Sequence, residues 1–134
     1  MNFREAEYRA LGLATRWLDE AHARHAYEFA LCYSSDARYG LNPSTVSCIE
    51  RHIIESDSVA TAWIKARWPD TGTVQILYGS EEVCLIDAND FLAQWKNIFV
   101  PSRDDAFVLH NLSNAVLFYN HEEELEVGFR IEAR

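Results

Sequence analysis

The segment at residues 119–134 reads YNHEEELEVGFRIEAR and places His121 directly before three glutamates. A zinc site on a helix needs two ligands on one face and a third from elsewhere. His121 lacks the second histidine of an HExxH motif, and we expect it in a turn, where neighbouring side chains fan apart. His22 and His25 can share a helical face, but no carboxylate lies four residues after either. We therefore predict no metal site and no cofactor.

Nucleophilic catalysis has no recognisable motif in this chain. The three cysteines, Cys32, Cys48 and Cys84, have no adjacent histidine and form no CxxC pair. Such cysteines are typical of reduced, mostly buried thiols. The sequence also lacks GxSxG, a P-loop and GxGxxG, although a Ser/His/Asp arrangement assembled by the fold stays open. We predict no catalytic residue.

Two further features of the sequence favour contact with a partner protein over a catalytic role. Asp104 and Asp105 are adjacent in a predicted loop, so their side chains point apart and make a poor catalytic pair. Trp63 lies with Lys65 and Arg67 on the polar face of a predicted strand. An exposed tryptophan beside cations can anchor an interface, and the alternative is that an N-terminal helix covers it.

The charge of the chain is strongly asymmetric. The net charge is −9. Residues 81–134 hold eleven acidic and four basic residues, and so contribute −7 of that total. A surface of this sign repels phosphate backbones and excludes nucleic acid as a direct partner. It attracts a basic protein.

The length and composition fit one folded domain. The chain has 134 residues, of which 49% are apolar, and we treat 1–134 as a single globular domain rather than a disordered chain. The first residues, MNFREAEYRALGLATRW, carry charges throughout and lack the apolar run of a signal peptide. No stretch approaches the roughly 18 apolar residues of a membrane span. We therefore expect a cytoplasmic protein with no membrane contact.

Two helical segments are predicted before the first strand. Apolar residues recur at helical spacing over residues 1–34. A single helix of this length would reach about 50 Å, so we expect a break near Asp19–His22 and leave open whether residues 2–34 form one helix or two. A second helix is predicted in NPSTVSCIERHII, with Asn42 as N-cap and Pro43 in the first helical position.

The remaining segments alternate in a strand-like period or return to a helical one. Residues 59–86 predict a three-stranded antiparallel meander, with turns at PDTG and GS. Asp87 caps a helix that ends before Pro101. Two strands are predicted on either side of LSN. The last strand, ELEVGFRI, has one apolar face that is buried and one polar face that is exposed to solvent. As the last strand of the chain, it is a candidate for an edge of the sheet. The fold class is α+β: N-terminal helices, then βββ-α-βββ, with helices packed on one face of an antiparallel sheet.

These features favour a non-enzymatic protein-binding module. Size, acidity and class resemble the small bacterial immunity proteins and toxin inhibitors, which implies a basic toxin or effector as partner. An edge strand also offers a route to a homodimer. The predicted partner-binding residues are Asp104, Asp105, Glu122, Glu123, Glu124, Glu126 and Trp63.

Two alternatives remain open. Secretion chaperones that bind effectors are also small, acidic and α+β, although the long helical N-terminus and the strand-like C-terminus depart from their pattern. Helices followed by a curved antiparallel sheet resemble the cone of nuclear transport factor 2. That likeness implies a ligand pocket lined by aromatic residues, with His110 or an aspartate as general base.

Overall fold

The computed structural model describes residues 3–37 and 39–131. The helices in this part of the chain are α1 (Phe3–Ala10), α2 (Glu20–Ala30), α3 (Asp57–Lys65) and α4 (Ala88–Ile98), with a short 3₁₀ turn at Leu31–Tyr33. The strands are β1 (Arg16–Trp17), β2 (Val46–Ile53), β3 (Thr73–Gly79), β4 (Glu82–Asp87), β5 (Ala106–His110), β6 (Ala115–Asn120) and β7 (Glu124–Arg130).

The seven strands form one antiparallel sheet in the order β1-β4-β3-β5-β6-β7-β2. The α+β class predicted from the sequence is confirmed. One face packs against α1, α3 and α4 around residues such as Ile76, Val108 and Leu117. The other face packs against α2 around Leu77, Leu109 and Val116. The helices therefore cover both faces, and the expectation that they occupy one face is corrected.

The N-terminal segment forms two helices with a short strand between them. Gly12 adopts a φ of +74° after α1, a conformation that favours glycine and ends the helix. Asp19 caps α2, and its side chain accepts a hydrogen bond from the His22 N–H. The predicted break at Asp19–His22 thus marks the start of α2.

The predicted helix at residues 42–54 is wrong, because this segment is β2. Asn42 accepts a hydrogen bond from the Ser44 N–H and caps only a turn. A β-bulge then shifts the register between Ser47 and Glu50, with Cys48 at a φ of +54°. Because the bulge inserts one residue, Val46, Ile49 and Ile53 recur at the spacing of a helical face. The two-residue alternation of a strand is therefore not visible in the sequence.

The first strand of the predicted meander is also wrong, because residues 57–65 form α3. Ser56 accepts a hydrogen bond from the Val59 N–H as the N-cap, and Ala60 and Ile64 are buried four residues apart. The alternating pattern here consists largely of alanine, the strongest helix former, so propensity decides against the strand. Residues 73–87 then form the β3–β4 hairpin as predicted.

The second half of the chain follows the prediction closely. Asp87 caps α4 by accepting hydrogen bonds from the Asn89 and Asp90 N–H groups. Phe91, Trp95 and Ile98 of α4 are buried against the sheet. No helix within residues 3–37 and 39–131 has the length and apolar character needed to cross a bilayer.

The predictions for β7 and for the thiols need correction. β7 lies between β6 and β2, so it is not an edge strand, and the sheet ends in β1 and β2. Cys84 is buried as predicted, but Cys32 and Cys48 are exposed.

Gly128 allows β2 to approach β7 at the bulge. A Cβ atom at this position would lie 2.5 Å from Val46 Cγ1 and 2.8 Å from the Ser47 carbonyl oxygen. Backbone atoms of a paired strand cannot move away without loss of register, so this position has no room for a side chain.

We predict that Gly128→Ala lowers the free energy of unfolding by about 2 kcal/mol, because the added methyl group overpacks the bulge. Urea unfolding followed by circular dichroism measures the change. Gly79→Ala is the matched control, since a Cβ there meets nothing within 4 Å. Equal stability of the two variants would contradict the packing argument.

Candidate protein-binding surface

One end of the sheet collects six of the thirteen exposed carboxylates of the described chain. It comprises residues 53–57, 79–82, 102–106 and 120–124, where β2 ends, β3 and β6 turn into β4 and β7, and β5 begins. We call it the acidic end. Its exposed carboxylates are Glu55, Asp57, Glu81, Asp105, Glu122 and Glu123.

Backbone hydrogen bonds hold these loops together. The Ile54 N–H donates to the Glu123 carbonyl over 2.9 Å, which joins the start of α3 to the β6–β7 turn. The Ser102 N–H donates to the His121 carbonyl over 3.0 Å. The His121 N–H donates to Asp105 Oδ1 over 2.9 Å. These hydrogen bonds therefore hold the loops that carry the exposed carboxylates in fixed positions.

The basic side chains at this end already have acidic partners. Arg4 binds Glu82 over 2.7 Å and Asp104 over 2.8 Å. Arg103 binds Asp104 and Glu7, and Arg51 binds Glu124. Since these cations are neutralised within the chain, the exposed carboxylates dominate the potential outside it.

Burial changes the status of two predicted partner-binding residues. Asp104 is 1% exposed and Glu126 is 2% exposed, so neither can touch a partner at the surface. Glu126 was expected on the wet face of its strand, but it accepts a hydrogen bond from the Leu41 N–H over 2.9 Å. The chain between α2 and β2 covers it.

The other predicted residues divide into exposed and partly covered groups. Asp105, Glu122 and Glu123 are exposed at the acidic end, whereas Glu124 is half-buried and bonded to Arg51 and Asn120. The sequence prediction missed Glu55 and Asp57, because the charge imbalance pointed to residues 81–134 and the segments on either side of these two residues were assigned to the wrong elements.

Trp63 lies on α3 and not on the polar face of a strand. Its ring stacks on His52 with centroids 5.2 Å apart, and the guanidinium carbon of Arg67 lies 4.4 Å from the ring centre. Arg67 also bonds Glu50 of β2. The ring is half-buried, and these contacts attach α3 to the edge of the sheet.

An aromatic cleft adjoins the acidic end on the α2 face. Its volume is about 300 Å³, and its walls include Tyr27, Tyr39, Phe107 and Phe118. Tyr39 is 61% exposed, and its ring meets His121 edge to face at 5.1 Å. The hydrogen bond that His121 donates to the Asp105 carboxylate raises the pKa of His121. Arg4, Arg103 and Asp105 also line the cleft, so it offers a partner side chain aromatic surfaces beside two paired arginines and one carboxylate.

Asp104 fastens α1 to the loop before β5. Its carboxylate accepts hydrogen bonds from Arg4, from Arg103 and from the Val100 N–H. Burial raises the pKa of Asp104, but the bonds from Arg103, Val100 and Arg4 outweigh it, and the pKa lies below its ordinary value. Asp104 is therefore a structural anion beneath the surface.

The histidine and the buried cysteine considered for catalysis have structural roles in the fold. His110 Nε2 donates to the Thr71 carbonyl over 2.7 Å, and Nδ1 is hydrogen-bonded to the Ser113 hydroxyl over 2.8 Å. His110 is buried, with its ring 6.0 Å from that of Trp68. Burial raises the pKa of the Cys84 thiol to about 12, so it stays protonated at neutral pH.

Metal ligands do not converge in the described ranges, where no group of three or more His, Cys, Asp or Glu side chains could hold an ion. His121 bonds Asp105 and lies at a turn, as the sequence predicted for its position.

Comparison with known proteins adds no relative. No family model, no curated protein and no solved structure matches this chain. Any functional argument therefore depends on the geometry above.

We predict that Asp104→Asn lowers the free energy of unfolding at neutral pH by about 3 kcal/mol, since it leaves Arg4 and Arg103 short of a buried counter-charge. Because the folded-state pKa is lowered, the ionised carboxylate contributes its full stability above the unfolded pKa of about 3.9. That contribution is lost as pH falls through the folded-state pKa. The difference in free energy of unfolding between wild type and variant should therefore become smaller in strong acid.

Urea unfolding across a pH series from about 7 to about 2 tests this expectation over the range in which carboxylates titrate. Asp70→Asn, in the exposed turn before β3, is the control and should follow the wild type throughout. If the difference in free energy of unfolding were the same at every pH, the charge of Asp104 would not be the cause of the destabilisation.

Proposed function

We propose that this protein is a non-enzymatic binding module of the cytoplasm that captures a basic protein, of the kind that an immunity protein or toxin inhibitor neutralises. The observation that carries the proposal is the acidic end, where six exposed carboxylates surround basic residues that are already paired. No family relationship contributes to it.

Electrostatic attraction supplies the first step of such a mechanism. Like charges held close together repel, so a surface of this kind costs stability in the free protein. Binding of a basic partner relieves this repulsion, and attraction between opposite charges accelerates association. The frame of backbone hydrogen bonds at Ile54, Ser102 and His121 limits the rearrangement needed on binding.

The aromatic cleft supplies the second step. Binding energy at interfaces concentrates in a few apolar or aromatic anchors that become fully desolvated. Tyr39 and Phe118 line the cleft, and the Tyr39 ring contacts His121 of the acidic end. A partner residue bound in the cleft would contact these rings, and the carboxylates of the acidic end would lie beside it, which gives the interface an aromatic centre and a charged rim.

Charge reversal tests the proposal most directly. We expect Glu122→Lys with Glu123→Lys to weaken binding of the basic partner at least about tenfold, because rim charges that attracted the partner would repel it. The partner is isolated from the native source on immobilised wild-type protein, purified, and titrated against each variant by calorimetry. Affinity of the wild type should fall between about 50 mM and about 500 mM salt, as screening shortens the reach of the charges.

Asp70→Lys with Glu28→Lys is the matched control, since it changes the net charge equally at exposed sites outside the acidic end. This variant should bind nearly as tightly as the wild type. Recovery of no basic protein, or equal weakening by both double variants, would overturn the proposal. A salt-insensitive affinity would leave the carboxylates without a role in recognition.

A further inference from the structure

Arg130 stands out among the arginines by its lack of an acidic partner. Within residues 3–37 and 39–131, only Arg16 and Arg130 have no carboxylate oxygen within 4.0 Å of the guanidinium. Arg16 is exposed on the edge strand β1, where water solvates it, whereas Arg130 is half-buried at the end of β7. An uncompensated, partly desolvated cation is costly.

The guanidinium of Arg130 is held in place by neutral groups. Its Nη2 donates to the carbonyl oxygens of His110 and Ser113, each over 2.8 Å. Its Nε is buried and has no hydrogen-bond partner. The loop between β5 and β6 therefore fixes the position of the charge without cancelling it, and donor capacity remains unused.

Two cavities on the α2 face meet at this arginine. One has a volume of about 440 Å³ and lies between α2 and the sheet, with Leu85 and Leu109 in its wall. The other, of about 610 Å³, extends towards Tyr33 and Ile131. Phe29 and Arg130 line both. We call the two cavities together the Arg130 groove.

The walls of the groove combine apolar side chains with neutral polar ones such as Gln75 and Asn111. Phe29 is 58% exposed and Ile131 is 50% exposed, although both lie against the cavities. Exposed apolar side chains beside a concave surface mark binding sites more often than isolated ones do. The groove lies at the opposite end of the strands from the acidic end, so the two features are separate.

We propose that the Arg130 groove binds a small amphipathic carboxylic acid, with the carboxylate on Arg130 and the apolar body against Phe29, Leu85 and Leu109. A guanidinium presents a planar fork of donors that matches a carboxylate. The volume suits an apolar body of roughly ten to twenty non-hydrogen atoms.

A monoanion fits better than a phosphate. One arginine balances one negative charge, and among the described residues Arg130 is the only arginine or lysine that lines either cavity, with His25 and His110 also in the wall of the first. The chain carries a net charge of −9, which opposes the approach of a dianion. This proposal does not depend on the acidic end and can fail or succeed independently of it.

Matched ligands separate the charge from the apolar body. Decanoate and decanol share a chain, and 1-naphthaleneacetate carries the same carboxylate on an aromatic body. We expect decanoate or 1-naphthaleneacetate to bind at least about tenfold more tightly than decanol in calorimetry, because only the acids engage the guanidinium. Which acid binds more tightly distinguishes an aliphatic from an aromatic source. Amide chemical shifts should change at Phe29, Leu109 and Arg130.

A matched pair of variants at the mouth of the groove tests the role of the charge without disturbing the core. Phe29→Glu places a competing carboxylate beside Arg130 and should abolish the preference for the acid over the alcohol. Phe29→Gln, which is similar in size and neutral, should keep that preference. Arg130→Gln should also abolish it, and circular dichroism checks that this variant stays folded.

Several results would overturn the proposal. One is equal affinity for decanoate and decanol, and another is an unchanged preference in Phe29→Glu. Chemical-shift changes confined to the acidic end or spread over the whole sheet would also contradict it. Since Phe29→Glu alters an exposed side chain, the test remains decisive even if Arg130→Gln fails to fold.

Discussion

The two central strands of the sheet bury all their residues, and this requirement organises the rest of the molecule. Every residue of β5 and β6 is buried, so the sheet must be covered on both faces. Three helices cover one face, and α2 with the chain that follows it covers the other. Polar side chains are thereby displaced to the ends of the strands, and both candidate sites lie there.

The two ends have opposite electrostatic character. At the acidic end the arginines are paired with carboxylates, whereas at the other end Arg130 has no acidic partner among the described residues and donates to neutral carbonyl groups. The single helix α2 spans less of its face than three helices do of theirs. The uncovered parts of that face become the aromatic cleft on one side of α2 and the Arg130 groove on the other.

Local patterns predicted the elements that obey local rules. Asp87 and Pro101 bound α4, and alternation predicts β3 to β7, because caps and periodicity act within a few residues. The bulge at Cys48 and the alanine-rich α3 gave patterns of the wrong period. The charge of the tail was visible in the sequence, but the burial of Glu126 was not, since Leu41 lies 85 residues away.

The same limit explains why the Arg130 groove left no sequence signal. In ELEVGFRI, alternation places Arg130 on the polar face beside glutamates, which is the pattern of a solvated strand. Its setting depends on two carbonyls, from His110 at the end of β5 and from Ser113 in the β5–β6 loop, and on Phe29 of α2, which is far earlier in the chain. Sites built from distant neutral groups carry little local charge pattern, so they emerge only once the topology brings their parts together.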